Sequence, residues 1–167
     1  MLKFLLLGYY YYFMWYNRIE NKMFYEIKDF EFPQNVSKTF THEERVYAID
    51  FDMTIAYTQY PKIIKPLPYA VEVLRVLTKD PNSTLILWTC REGEYLQQAL
   101  DFCELYGIKF DYVNENCKRN LDLYVVDCRK VSADIYIDDH SYQGQEGVEK
   151  LWHDWYIWMK DNDMIEE

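Results

Sequence analysis

The sequence predicts an α/β domain, a parallel sheet with helices on both faces. Three observations carry that prediction. Short apolar runs end abruptly in acids or a hydroxyl, as buried parallel strands do. Helical patterns lie between those runs at the spacing of strand–helix–strand units. The length of 167 residues, half of them apolar, suits one domain with a real core.

The elements follow in order. Residues 17–45 are mixed and polar, with Pro33 and the stretch Asn35–Thr41 suggesting turns. Val46–Ile49 is the first strand and runs into Asp50. Pro66 and Pro68 precede a helix in which Val71, Leu74 and Leu77 recur, with Ala70, Val73 and Val76 beside them. Thr84–Trp88 is a second buried strand, and Glu92–Tyr106 is helical, with Leu96, Ala99, Leu100 and Cys103 on one face. Gly107 is its natural stop. Phe110–Val113 is a third strand, and Asp134–Ile137 a fourth, again ending in acids. Trp152, Trp155, Tyr156 and Met159 stripe a last helix that fades into an acidic tail. The organisation expected is an N-terminal arm over 1–45, the α/β domain over 46–145, and a C-terminal helix and tail over 146–167 packed on the same domain.

Composition excludes several functions. Lys plus Arg is 18 against 28 Asp plus Glu, a net charge of −10. A general nucleic-acid binder needs basic surface to displace counterions, and an anionic membrane repels such a chain. With 5 glycines, neither GxGxxG nor GxxxxGK[ST] can be built. The 4 cysteines (Cys90, Cys103, Cys117, Cys128) form no CxxC pair, so reduced thiols in a cytoplasmic protein are expected rather than zinc ligands. The run Phe4–Tyr16 holds eight aromatic residues. It is too short for a standard spanning helix, which takes roughly 20 residues, and no small-residue cleavage site follows it, so secretion is not expected. A sticky arm, a partner-binding segment and a misassigned start upstream of Met23 all fit it.

Chemistry gathers where the strands end, because open parallel sheets bind ligands beyond the carboxyl ends of their strands. The first strand delivers Asp50 and Asp52, and the fourth delivers Asp138 and Asp139. Carboxylates aimed at one spot repel unless a cation joins them, and Mg²⁺ is the hard cation that takes oxygen ligands. Thr89 closes the second strand, and Lys130 lies close enough to the fourth to reach the same end. Acids, a hydroxyl and an ammonium around Mg²⁺ form a phosphoryl-transfer site. Each piece alone is ordinary, since a lone DxD is usually a solvated loop and a lone Lys a surface residue. Their order and their strand-end positions are what count.

Over residues 46–142 these motifs resemble the haloacid dehalogenase superfamily of aspartate-nucleophile phosphatases. Asp50-Phe51-Asp52-Met53-Thr54 matches DxDx[TV], with Met53 where Gly is frequent. Leu85–Thr89 matches the strand ending in a hydroxyl, Lys130 the third motif, and Ile135–Asp139 the strand followed by an acid pair. The stretches Leu85–Glu94, Tyr112–Asn116 and Asp134–Asp139 look most like a small group of stand-alone hydrolases of bacteria and their phages. The resemblance implies a Rossmann-like three-layer sandwich with the catalytic domain over 46–145. It implies Asp50 as nucleophile, forming an aspartyl-phosphate, and Asp52 as general acid, then base. Mg²⁺ would be held by Asp50, the Asp52 carbonyl and Asp138, with Asp139 assisting. Thr89 would hydrogen-bond a phosphoryl oxygen, and Lys130 would neutralise charge on Asp50 and the phosphoryl group.

Arg91, two residues past Thr89, is a candidate bidentate clamp for the substrate phosphate. Asn114, Glu115 and Asn116 face the same mouth and either read the substrate or form a turn. The 15 residues between Asp52 and Pro68 suffice for a small flap, and the 40 between Thr89 and Lys130 are used by a helix, a strand and a connector. Neither gap holds a lid, so no cap domain is expected. The leading expectation is a Mg²⁺-dependent phosphatase acting on a small phosphorylated metabolite or nucleotide, with no nucleic-acid or membrane partner and with a homo-oligomer left open. The alternatives are a protein of the same fold that binds a phosphorylated ligand or partner without turnover, and a phosphotransferase.

Overall fold

Val46 to Ile49 are each almost fully buried, which a strand covered on both faces requires. That segment is the centre of the domain. In chain order the elements are β1 (Arg45–Ile49), β2 (Ala56–Gln59), β3 (Lys62–Pro66), α1 (Ala70–Lys79), β4 (Ser83–Leu87), α2 (Gly93–Leu105), β5 (Tyr112–Val113), α3 (Lys118–Tyr124), β6 (Ile135–Ile137) and α4 (Gly144–Asp161). The computed structural model describes residues 44–124, 127–141 and 143–165. Every described residue belongs to one compact unit, Val36–Glu167. The aromatic run Phe4–Tyr16 and the expected arm up to residue 43 lie outside the described residues, as does the end of the acidic tail.

Four strands form one parallel sheet in the order β5-β4-β1-β6. Ala48 lies opposite Ile86 on one side and Tyr136 on the other. The protein is therefore α/β, with a parallel sheet flanked by helices, as its strand–helix alternation predicts. Alternation along β1 divides the packing. Tyr47 and Ile49 join Leu85 and Leu87 in the larger core, with apolar residues of α1, α2 and α4. Val46, Ala48 and Ile86 face the other way, against Cys117 and Val131. Among the described residues no helix is long and apolar enough to cross a membrane.

Two features depart from the expected elements. The segment after Asp52 is an antiparallel hairpin, β2–β3, with a register shift between Tyr57 and Thr58. The seven residues of α3 lack the periodicity that would announce a helix. The last helix starts at Gly144, eight residues before its tryptophan stripe. Trp152 is fully buried and its indole N–H donates to the Thr54 carbonyl at 2.7 Å, which ties α4 to the loop after β1. Just past the Tyr106 cap of α2 stands Gly107, whose φ of +71° favours glycine. A Cβ there would lie 3.4 Å from Nε of Arg75, the atom that donates to the Tyr106 carbonyl.

Acids at the entry ends of the strands serve the backbone. Asp134 Oδ2 accepts the Val46 N–H at 2.8 Å, and Asp111 Oδ2 accepts the Leu85 N–H at 2.9 Å. Both donors are the first fully buried residues of their strands and need partners. The acids at the exit ends are arranged otherwise.

Candidate functional site

Beyond the sheet the strands keep their pairing for one more residue. Asp50 N–H donates to the Ile137 carbonyl at 2.9 Å, Trp88 N–H to Ile49 at 2.9 Å, and Asn114 N–H to Leu87 at 2.8 Å. Asp50, Trp88 and Asn114 are thus fixed just past their strands. Immediately after Asp50 the chain curls tightly, and the Phe51 carbonyl accepts the N–H groups of Ile55 and Ala56. The curl puts Met53 at φ +55°, a left-handed conformation that glycine adopts at least cost.

Thr54 is fully buried, and its hydroxyl oxygen accepts the Asp139 N–H at 3.0 Å. That bond draws the end of β6 toward the loop after β1. Thr54→Val keeps the shape but leaves this donor unmatched, which costs roughly 1–3 kcal/mol. The midpoint of chemical unfolding should fall accordingly, and an unchanged midpoint would show that the Asp139 N–H does not depend on Thr54.

Asp50, Asp138 and Asp139 converge, each offering a carboxylate oxygen within 4.8 Å of the others. Burial pushes the Asp50 carboxyl up to about 7, with the Asp138, Asp52 and Asp139 charges adding to the rise and the Phe51 N–H opposing it. Asp139 is raised too, chiefly by burial and then by Asp138 and Asp52, while His140 opposes the rise. These groups line a cleft of about 690 Å³ together with Thr89 and a set of apolar side chains.

Asp52 is held differently. Arg91 grips it bidentately, Nε to Oδ2 at 2.8 Å and Nη2 to Oδ1 at 2.7 Å. The guanidinium is wholly buried, lies 4.9 Å from the Phe51 ring centroid, and also donates to the carbonyls of Pro61 and Tyr95. The expectation that Arg91 clamps substrate phosphate is therefore corrected: its donors are engaged within the fold, and what it holds is Asp52.

Asn114 needs a similar correction. Its side-chain carbonyl accepts the Thr89 N–H at 2.8 Å and its amide donates to the Thr89 carbonyl at 2.9 Å. Both ends are committed, so Asn114 braces Thr89 instead of reading substrate. Thr89 is nearly buried, lines the cleft, and accepts the Arg91 backbone N–H on its hydroxyl oxygen at 3.2 Å. That oxygen keeps its own proton to donate. Glu115 is exposed. Asn116 is buried, donating to Asp127 and the Cys128 carbonyl and accepting from Ser132, so it shapes the segment that carries Lys130.

Lys130 itself is not brought into the cleft. It is exposed, with its ammonium 5.2 Å from the Tyr136 ring centroid, and it makes no ion pair with the described residues. Sequence reasoning placed Thr54 in the motif but gave it no role, and missed the tie to Trp152. The threonine two residues after the acid pair is the signal that could have found the first, and the tie to Trp152 has no local signal.

No family profile matches the chain, and no curated protein matches it. It is similar to a solved structure, that of a conserved protein from Bacteroides thetaiotaomicron, at 32% identity and a TM-score of 0.54. The match covers 67% of this chain and 92% of that one.

Proposed function

We propose that this chain, which belongs to the same family as the conserved Bacteroides thetaiotaomicron protein, is a Mg²⁺-dependent phosphomonoesterase of the haloacid dehalogenase type. The single observation that carries the reading is the convergence of Asp50, Asp138 and Asp139 at the exits of adjacent parallel strands. Their donor set is all oxygen, and their mutual repulsion, added to burial, is what a hard divalent cation would relieve. In this reading the three carboxylates would hold Mg²⁺, which when bound would supply neutralising charge to the phosphoryl oxygens.

Asp50 attacks phosphorus, forming a P–O bond to its carboxylate as the bond to the leaving oxygen breaks. Asp52, oriented by Arg91, enters the cycle protonated, gives that proton to the leaving oxygen and takes one back from the attacking water, whose oxygen displaces Asp50 from phosphorus and frees phosphate. Thr89 donates its hydroxyl proton to a phosphoryl oxygen. Lys130 joins the site by turning away from Tyr136. A capless form is part of the proposal. It is supported by the hairpin alone between Asp52 and Leu67, and by α2, β5 and α3 alone among the described residues between Thr89 and Lys130. A cytoplasmic location, supported by four free cysteines, completes it.

A second reading, ligand binding without turnover, draws on the position of Lys130 outside the cleft. Release of inorganic phosphate from a panel of phosphomonoesters with Mg²⁺ separates the two.

The cation assignment has a test that needs no substrate. Asp50 titrates near 7 in the folded chain against an ordinary 3.8. Between those values the folded state keeps a proton that the unfolded chain has lost. Stability of the metal-free protein therefore falls as pH rises from about 4 to about 7, then levels off. Mg²⁺ favours the ionised carboxylates, so millimolar Mg²⁺ should raise Tm at pH 8 by more than at pH 5.5. A Tm indifferent to Mg²⁺ at pH 8 would remove the three carboxylates as a cation site.

A further inference from the structure

The walls of the cleft differ from its floor. Around the carboxylates stand Met53, Tyr60, Trp88 and Cys90, and no Lys or Arg side chain of the described residues lines it. Among the described residues its ionisable cation former is His140, which is mostly exposed. Beyond the Mg²⁺ and Lys130 that would serve the first phosphate, a second one would meet acids and rings, with no further Lys or Arg side chain of the described residues lining the cleft to pair with it.

The two rings are held in place. Tyr60, at the tip of the β2–β3 hairpin, remains 61% exposed yet rests on Tyr95 at 5.7 Å and on the Arg91 guanidinium at 5.3 Å. Trp88 sits beside Thr89 and packs on Tyr136 at 5.6 Å. The Tyr136 hydroxyl donates to the Val131 carbonyl at 2.7 Å, which fixes that ring in turn. Rings already ordered lose little freedom when a ligand stacks on them. An exposed tyrosine anchored at the mouth of an acidic cleft is poorly explained by packing alone, since core packing would bury it.

Resting on the phosphomonoesterase reading, we infer that the substrate is a monophosphate carrying a flat aromatic or heteroaromatic group, which stacks on Tyr60 and Trp88 while its phosphate meets Asp50 and Thr89. Nucleoside monophosphates and aryl phosphates share this chemistry. Sugar phosphates lack it, and diphosphates exceed the charge the cleft accepts. A cleft of about 690 Å³ is large enough for a nucleoside monophosphate.

The decisive comparison is adenosine 5′-monophosphate against ribose 5-phosphate, which have the same leaving oxygen and differ by the base. Stacking predicts a kcat/KM at least tenfold higher for the nucleotide, carried by KM. Tyr60→Ala should pull that ratio toward one. Trp88→Ala should do the same where it folds, and the exposed Tyr60 keeps the test available where it does not. Phenyl phosphate against adenosine monophosphate then distinguishes an aryl from a nucleoside source. Measurable turnover with a ratio near one overturns the inference and leaves the phosphatase reading standing. Absence of turnover with both compounds, with phenyl phosphate and with every member of the phosphomonoester panel overturns that reading. The dissociation constants of the same two compounds then decide the inference, with tighter binding of the nucleotide supporting it and equal binding overturning it.

Discussion

Asp50→Asn should abolish phosphate release, by at least about a thousandfold in kcat, while leaving the protein folded. The amide keeps the size of the carboxylate and can still bond to its neighbours. It cannot form a stable acyl phosphate, so the two-step route is closed at its first step. The same substitution carries a second expectation with the opposite sign. Asp50 is a poorly solvated carboxyl that titrates near 7 and faces Asp138, Asp52 and Asp139. Above that pH its charge works against the metal-free fold, and a neutral isostere removes the strain. Metal-free Asp50→Asn should therefore melt higher than the parent at pH 8, and Mg²⁺ should raise its Tm less. Residual activity above a few per cent would dismiss Asp50 as the nucleophile. A lower Tm in EDTA at pH 8 would show that the carboxylate contributes hydrogen bonds worth more than its burial costs.

The parts of the fold most legible in sequence were those decided by burial on two faces. β1 and the end of β4 are short apolar runs because little that is polar survives inside a covered parallel sheet, while β6, an edge strand with Tyr136 exposed, is marked by its apolar run into acids. Their exits were legible for the same reason, since an acid directly after such a run has to stand at the sheet's rim. The β2–β3 hairpin escaped because Lys62, Ile64 and Lys65 are exposed and Ile63 only half-buried, so no clean alternation marks the strand. Helix α3 escaped because seven residues hold too few turns for a period to appear.

At the site, two side chains were assigned the wrong partners. Asn114 and Arg91 carry groups that suit a phosphate, yet both are consumed by the protein: Asn114 by the Thr89 backbone, and Arg91 by an acid 39 positions earlier. Pairings at that separation are set by the fold of the intervening hairpin and strand. Neither composition nor spacing contains them.

Arg91→Met should damage the protein twice, and the two effects separate by measurement. The guanidinium is fully buried, pairs bidentately with Asp52, and also bonds the Pro61 carbonyl on the hairpin and the Tyr95 carbonyl on α2. Its loss strands an acid and two carbonyls, at a cost of about 3 kcal/mol, toward the low end for a broken buried pair because the Asp52 side chain is 28% exposed and can draw on water. A fall in Tm of about 10 °C follows for a domain of this size. The catalytic effect depends on the leaving group. If Arg91 is a positioning residue for the general acid, substrates with a poor alkoxide leaving group need its help most. p-Nitrophenyl phosphate, whose leaving group departs without a proton, needs it least. Arg91→Met should therefore lose at least ten times more kcat on an alkyl phosphate than on p-nitrophenyl phosphate, with little change in KM for either. Arg91→Lys keeps the charge but not the fork, and should restore part of the stability and little of the alkyl-phosphate rate. Equal losses on the two substrates would mean that Arg91 supports the fold and nothing more. A rise in KM shared by both would return it to the role of phosphate clamp.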